Sequence, residues 1–536
     1  MQATQNPSDN RSTLAHWSPR ARGLGMLALC LALGACDQTQ MTSQPTAAAS
    51  IAASAPYQAS APAGRSAGGP QIQMLGGNRG PMAEATPVFT DTPPNDAKSV
   101  LADPVATFSL DVDTASYAVV RRFLRMGVAP PAAAVRVEEM VNYFPYAYPA
   151  PPDTSRPFQA TATIMPTPWN PDTQLLHIGI RAYDVTRSAR PRANLVLLLD
   201  VSGSMEPNDR LPLLQTALEQ FAADMRDDDT IGVVTYAGQA RTVLEPTAGR
   251  DKQKIIAAID SLRAGGGTNG AEALQLAYAL AERNFDRSAV NRIILATDGD
   301  FNIGITDPKR LQDYVAGKRK TGIYLTVLGV GLDNLNDGLM QRLAQSGNGN
   351  AGYVDSLLEA RKILADQVAS TLFPVADDVK VQIEFNPDRV REYRLIGYET
   401  RLLARRDFNN DRVDAGEVGS GHTVTALYEI VPTGSKGSLV DGLRYQPEKP
   451  RAQPASGFAD EYAFLRIRYK PPGQSRGRLL QFPVRDSDVV ASLAAAPADL
   501  RFAAAVAAFG QQLRGETAIG DFSLADTATL AEAARG

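Results

Sequence analysis

Cysteine and histidine are scarce in this sequence of 536 residues, which contains 2 cysteines and 3 histidines. So few thiols and imidazoles leave little from which to build a zinc site or a framework of disulfides. An excess of basic residues is also lacking, because 54 lysines and arginines stand against 58 aspartates and glutamates. Nucleic acid is therefore not expected as a partner.

The first apolar run of the chain, residues 24–33, follows three arginines and is too short to cross a bilayer as a helix. Such a run is typical of the apolar part of a signal peptide. It ends in LGAC, whose last residue is Cys36 and which resembles a bacterial lipobox. The resemblance implies cleavage before Cys36 and attachment of lipid to it; the alternative is a buried free cysteine. The other cysteine, Cys30, lies in the segment that would be removed.

Asp37 follows directly after Cys36 and resembles the residue that retains lipoproteins in the inner membrane of enterobacteria. We therefore expect a lipid-anchored protein that faces the periplasm, with the inner membrane slightly favoured. Residues 38–98 are rich in small and polar residues, have no apolar periodicity, and are expected to form a disordered tether.

The length predicts two or three domains. We expect five parts along the chain: a lipoprotein signal peptide (1–35), a disordered linker (36–98), N-terminal helices and β-strands (99–192), an α/β domain (193–373), and a β-rich domain with a terminal helix (374–536).

Five consecutive apolar residues, Leu195 to Leu199, predict a strand that is buried on both faces. Asp200, Ser202 and Ser204 follow at its carboxyl end, which is where ligands bind in open α/β sheets. Two later segments place similar side chains where an alternating α/β chain returns to that edge: Thr268 in GGGTNG and Asp298 after RIILAT. Carboxylates and hydroxyls are hard oxygen ligands, suited to Mg²⁺, Mn²⁺ or Ca²⁺.

Together these positions resemble the metal-ion-dependent adhesion site of the von Willebrand factor type A (vWA) family. All five residues of that site have a match in this sequence: Asp200, Ser202, Ser204, Thr268 and Asp298. The resemblance implies that the three hydroxyls contact the metal and that the two carboxylates bind it directly or through water. It also implies an open coordination position that takes an acidic side chain from a partner protein, with Mg²⁺ as the expected ion. For DxSxS alone, the alternative is a strand that ends in a serine-rich turn.

Helical and strand patterns alternate from residue 193 to residue 373, which predicts a doubly wound α/β sheet. After Pro374 the pattern changes to successive strands, and these suggest a β-sandwich that includes the strands of residues 158–185. The α/β domain would then be flanked by the sandwich or inserted into it, with short helices before it and a helix near 499–513. The segment DVDTASYAVVRRFL, the central domain and GHTVTALYEIVP together resemble YfbK-type bacterial lipoproteins.

Three other interpretations remain. Asp111 and Asp113 resemble the DxDxT loop of haloacid-dehalogenase-like phosphatases, although no convincing downstream lysine and acidic pair accompany them; capping of the following helix by Asp113 is preferred. DFNNDRVDAGE resembles a calcium loop but has Arg412 and Val418 where glycine and glutamate are needed. The third interpretation is that a metal binds at Asp200 and its neighbours but only stiffens the loops.

No histidine or cysteine lies in residues 193–373, so the central domain lacks the usual general bases. We therefore expect that the protein is not an enzyme.

Overall fold

The computed structural model describes residues 86–110, 113–153, 155–185, 191–267, 271–299, 307–367, 374–413, 415–441, 444 and 457–535. The signal peptide and lipidation site that we predict, including Cys36 and Asp37, lie outside these residues, as do Asp111 and Thr268. Among the helices of the described stretches, none combines the length and the apolar character needed to span a membrane.

The described part of the chain contains strands that we number in chain order: β1 (Lys98–Ser99), β2 (Val105–Ser109), β3 (Phe158–Pro166), β4 (Gln174–Ala182), β5 (Ala193–Asp200), β6 (Thr230–Tyr236), β7 (Ala240–Ala248), β8 (Val290–Thr297), β9 (Ile323–Val330), β10 (Ala351–Val354), β11 (Pro374–Phe385), β12 (Val390–Ile396), β13 (Gly416–Gly419), β14 (Thr423–Pro432), β15 (Glu461–Lys470) and β16 (Arg478–Arg485). Its α-helices are α1 (Ala115–Arg125), α2 (Val137–Asn142), α3 (Leu211–Asp224), α4 (Lys252–Asp260), α5 (Ala271–Arg283), α6 (Pro308–Arg319), α7 (Asp337–Ser346), α8 (Leu357–Arg361), α9 (Ala498–Arg514) and α10 (Leu524–Ala533).

The central unit is a sheet of six strands in the order β10-β9-β8-β5-β6-β7. All neighbours are parallel except β6 and β7, which pair antiparallel at one edge. Strand β5 lies in the interior of the sheet, and all of its residues are buried. Apolar cores lie on both faces of the sheet, one involving α3, α4 and α8 and the other α5, α6 and α7. This arrangement explains why the interior strands read as continuous apolar runs.

The remaining strands form a β-sandwich around a shared apolar core. One sheet has the order β1-β12-β14-β4-β3, and the other has the order β13-β11-β15-β16 with β2 paired to β11. Strand β4 precedes the central unit and pairs antiparallel with β14, which follows it, so that His177 lies opposite Leu427. The central unit is therefore inserted between parts of one sheet, and the predicted fold class is confirmed.

A helical layer covers the outer face of the sheet that contains β4, β12 and β14. Helices α2 and α9 contribute Val137, Met140 and Ala504 to a core with Leu175 of β4 and Leu427 of β14. Helix α9 also packs against α10. The sequence patterns predict α9 but neither α10 nor the edge strand β7, since neither segment carries a continuous apolar pattern.

The predicted capping of α1 by Asp113 is wrong. Thr114 occupies the N-cap position and makes no side-chain capping bond. The Asp113 carboxylate instead accepts a hydrogen bond from the Ala351 amide (2.9 Å) and forms an ion pair with Arg401 (2.6 Å). Asp113 is 4% exposed, so its charge is satisfied by β10 of the central unit and by the segment after β12, both distant in sequence.

Candidate metal site

The DxSxS segment begins at the tip of β5, in the interior of the sheet. Strand β5 pairs in parallel with β6 and β8, and Asp200 lies opposite Tyr236. The chain turns immediately after the strand, and the Asp200 Oδ1 atom accepts a hydrogen bond from the Ser202 amide at 2.8 Å. An aspartate that binds the amide two residues on stabilises a local turn. The turn fixes the carboxylate at the buried edge of the sheet.

The two serine hydroxyls of this turn lie side by side. Ser202 Oγ is 3.0 Å from Ser204 Oγ; Ser202 is buried and Ser204 is half-buried. The glycine-rich segment that leads to Thr268 is hydrogen-bonded to the same turn: the Gly203 amide donates to the Gly266 carbonyl (3.1 Å), and the Gly265 amide donates to the Val201 carbonyl (2.8 Å). The first two of the three predicted ligand loops are therefore in direct contact, although Thr268 itself lies outside the described residues.

The third predicted loop begins at the end of β8. Thr297 Oγ1 donates to Asp200 Oδ2 at 3.4 Å, which joins the tips of two adjacent strands. Asp298 follows, is 1% exposed, and accepts a hydrogen bond from Asn334 Nδ2 at 3.2 Å. Gly299 has φ of +102°, and a Cβ atom there would lie 2.3 Å from the Asn334 carbonyl oxygen. The loop can approach the β9–α7 connection only because residue 299 is glycine.

Arg210, directly before α3, joins these loops, although the sequence patterns assign it no role. One guanidinium nitrogen donates to both the Ser204 carbonyl (2.6 Å) and Asp298 Oδ2 (2.9 Å), and another pairs with Asp333. The Arg210 side chain is 6% exposed. In the sequence, Arg210 is only a single arginine at the start of a helix, after a motif of oxygen ligands. This pattern does not distinguish a residue of the site from an ordinary surface cation.

Burial dominates the electrostatics of the site. Burial, with a smaller contribution from the neighbouring Asp298 charge, raises the pKa of the Asp200 carboxyl to about 6 against the opposing effect of hydrogen bonds from Ser202 and Tyr236. Burial also raises the pKa of Tyr236 well above its usual value. Two buried carboxylates at adjacent strand tips cost free energy unless positive charge compensates them. Arg210 supplies part of that compensation.

The donor set fits a hard divalent cation. Within the described residues no three His, Cys, Asp or Glu side chains form a group that could hold a metal, so an ion at this edge depends on serine hydroxyls as well as carboxylates. Asp200, Ser202, Ser204 and Asp298 offer oxygen atoms alone, which suits Mg²⁺, Mn²⁺ or Ca²⁺. The contacts place these four residues on neighbouring loops at one edge of the sheet.

Other acidic residues, near the motif or in the alternative interpretations, are held in structural contacts. Asp209, an acidic residue close to the motif in sequence, pairs with Arg122 of α1 (2.7 Å). Asp411 of the calcium-loop resemblance pairs with Arg468 of β15 (2.8 Å). Asp113, of the phosphatase resemblance, pairs with Arg401 as described above. None of these three carboxylates lies in the turn that carries Asp200.

Comparisons with known proteins agree with this architecture. A family model described as the von Willebrand factor type A domain matches residues 195–300, one described as von Willebrand factor matches 83–177, and one for the C-terminal part of the uncharacterized protein YfbK matches 370–536. The chain is 46% identical over 454 residues to the uncharacterized protein YfbK of Escherichia coli K12, covering 84% of this chain and 77% of the relative.

Two further similarities are more limited. The uncharacterized protein sll0103 of Synechocystis is 30% identical over 185 residues, which is 34% of this chain and 43% of that protein. Among solved structures, a von Willebrand factor type A protein from Catenulispora acidiphila is similar with 17% identity and a TM-score of 0.38, covering 67% of this chain and 87% of that one.

Proposed function

Because this chain belongs to the family of Escherichia coli YfbK and contains a von Willebrand factor type A domain, we propose that it is a lipid-anchored protein of the bacterial cell envelope that binds a protein partner through a divalent cation. The expected cation is Mg²⁺, with Mn²⁺ or Ca²⁺ as alternatives. The expected recognition element of the partner is an acidic side chain.

One observation carries the proposal: the paired hydroxyls of Ser202 and Ser204 lie 3.0 Å apart in a turn that also holds the buried carboxylate of Asp200. Asp298 reaches the same edge from the adjacent strand, and the glycine segment before Thr268 is bonded to the turn. In the proposal, these five residues hold the ion, which supplies a Lewis-acidic position for a partner carboxylate. Few direct carboxylate ligands would leave that position strongly attractive to an anion.

We further propose that the site binds rather than catalyses. A hydrolytic site needs a general base close to the reacting group. The Asp200 and Asp298 carboxylates are held by the Ser202 amide and by Arg210. The central domain contains no histidine, and His177 lies on β4 of the sandwich, where its Nε2 atom is 2.9 Å from the Tyr148 hydroxyl.

A capture experiment tests the metal-dependent step. The full-length protein, solubilised from membranes in mild detergent, is incubated with envelope extract in Mg²⁺ or in EDTA, and retained proteins are identified. We expect a partner that is retained only with Mg²⁺ and is lost in Asp200→Ala. Asp228→Ala is the matched control, because it removes an exposed carboxylate that pairs with Arg226 before β6, at the opposite edge of the sheet. Capture that EDTA and Asp200→Ala leave unchanged would contradict the proposal and favour a metal that only stiffens the loops.

The membrane anchor is tested separately. In the proposal, Cys36 carries the lipid, and the following tether lets the folded body stand away from the membrane. The native protein should incorporate a labelled fatty acid, and Cys36→Ser should incorporate none. Equal incorporation by both proteins would show that Cys36 does not carry the lipid.

A further inference from the structure

We propose that Arg210 is a built-in counter-cation of the metal site, whose guanidinium competes with the divalent ion for Asp298 and thereby limits how tightly the ion is held. This inference rests on the metal site of the proposed function. It assigns to Arg210 a positioning and affinity-setting role that the five-residue motif does not contain.

The contacts of Arg210 show that its guanidinium is held at the site and does not project into solvent. It binds an acceptor in each of three loops: the Ser204 carbonyl after β5, Asp298 after β8, and Asp333 after β9. Its side chain is 6% exposed, whereas that of Asp333 is 73% exposed. The ion pair with Asp298 is therefore the one that solvent screens less.

The surrounding backbone leaves room for the guanidinium. Gly331, the first residue after β9, has φ of +66°, and a Cβ atom there would lie 2.5 Å from Arg210 Nε. Any side chain at residue 331 would meet both an unfavourable backbone conformation and the arginine. This second observation, independent of the ion pairs, indicates that the loop is shaped to accept Arg210 at this place.

The charge arithmetic gives the consequence. Asp200 and Asp298 bring two negative charges to the buried edge, and Arg210 neutralises one of them without an ion. A divalent cation that uses Asp298 must bind Oδ1 beside the guanidinium, share Oδ2 with it or displace it, and in the first two cases it meets a like charge close by. Arg210 therefore stabilises the ion-free site and weakens ion binding, so that occupancy depends on the partner carboxylate as an additional ligand.

The test measures Mn²⁺ and Mg²⁺ binding by calorimetry to the full-length protein in detergent. Arg210→Gln keeps a hydrogen-bond donor and removes the charge, and we expect it to bind Mn²⁺ at least about tenfold more tightly than the native protein. Arg210→Lys retains the charge and should remain within about threefold of the native affinity. Arg226→Gln, which removes an arginine paired with Asp228 at the opposite edge of the sheet, should change nothing.

Thermal unfolding supplies a second measurement. Arg210→Gln should melt at a lower temperature than the native protein in EDTA, because two buried carboxylates lose their counter-charge, and should gain more from added Mn²⁺. If Arg210→Gln does not fold, Asp333→Asn replaces it. That change at an exposed carboxylate leaves Arg210 less neutralised and should weaken Mn²⁺ binding about threefold.

The outcomes separate this inference from the proposed function. Binding by Arg210→Gln but not by the native protein would support the inference, because the native site would then fill only when the partner carboxylate is present. The proposed function is decided separately, by partner capture in Mg²⁺ and in EDTA. Equal or weaker binding by Arg210→Gln, or no binding by either protein, would overturn the inference. Tighter or unchanged Mn²⁺ binding by Asp333→Asn would also overturn the inference. Neither result would contradict the proposed function, which is tested by partner capture in Mg²⁺.

Discussion

Helix α8 follows β10 near the end of the central domain and continues directly into a π-helical segment, Lys362–Gln367. It is fixed at its start by an ion-pair cluster. Arg121 of α1 donates to Asp355 through Nε (2.8 Å) and a terminal nitrogen (2.5 Å), and also to Glu359 (2.7 Å). The side chains of Asp355 and Glu359 are 0% and 1% exposed. We propose that binding of the partner carboxylate shifts this helix, so its attachment bears on the proposed function.

We predict that Arg121→Met releases this helix. Removing one partner of a buried ion pair costs about 3–5 kcal/mol, since the other charge stays buried. The cost should be lower here, about 2–3 kcal/mol, because both acids keep one neighbour: Asp355 retains Arg125 (3.3 Å), and Glu359 retains the Tyr143 hydroxyl (2.6 Å). The structure thus predicts a local destabilisation that is large for one substitution.

Hydrogen exchange followed by mass spectrometry measures the effect where it arises. A local loss of about 2 kcal/mol corresponds to roughly thirtyfold faster exchange of the α8 amides, provided that they exchange by local opening. Arg125→Met is the matched control: its side chain is 59% exposed and its pair with Asp355 is longer, so exchange should change by less than about threefold. If Arg121→Met accelerates α8 exchange no more than Arg125→Met does, the reasoning from buried charge is wrong.

Three further substitutions test other parts of the fold. Burial lowers the pKa of His177 from 6.5 to about 3, so His177 takes up a proton only in the unfolded chain as the pH falls from 7 to 5. In urea titrations the native protein should lose about 2 kcal/mol more of its unfolding free energy than His177→Gln over that range. An equal loss in both proteins would contradict this prediction. Gly299→Ala should lower stability by at least about 2 kcal/mol, because φ is positive and the Cβ atom would meet a backbone carbonyl; Gly238→Ala, which has open space, should melt like the native protein. Arg394→Met should cost about 3 kcal/mol in urea, because it leaves the fully buried Glu429 without its 2.9 Å ionic partner, whereas Glu516, the other carboxylate that Arg394 binds, keeps Arg514. Adding Glu429→Met should restore most of the loss, and no recovery would show that the cost does not come from Glu429.

Local patterns determined the α/β part of the fold. The apolar run at Leu195–Leu199 is long enough to predict a strand buried on both faces, and the alternation of elements after it predicts a doubly wound sheet. The carboxyl ends of parallel strands meet at one edge, which is why the alternation of elements predicts that Asp200, Ser202, Ser204 and Asp298 lie at the same edge; their grouping into one metal site came from the resemblance to the vWA family. Thr268 belongs to the same prediction and is not among the described residues.

Patterns failed where the deciding contact lies far away in the chain. Asp113 is of a residue type that commonly caps helices, yet its carboxylate is bound by Ala351 and Arg401, more than two hundred residues further on. From the sequence alone, Arg210 is an ordinary cation at the start of a helix. Only the packing of three loops in the folded protein shows that it binds Asp298. In both cases a buried charge is paired with a group that comes close to it only in the folded protein. The residues next to it in the sequence therefore do not indicate the pair.

The sequence by itself determined the kinds of atoms at the site, the order in which the chain presents them, and the alternation of elements around them, since hydrophobic periodicity and turn chemistry act between near neighbours. Only the tertiary structure decided that β4 pairs with β14 across the whole inserted domain, that α1 holds α8, and that Arg210 lies against Asp298. Those contacts form because burial brings distant segments together and buried polar groups must then be paired, and both effects depend on the complete fold.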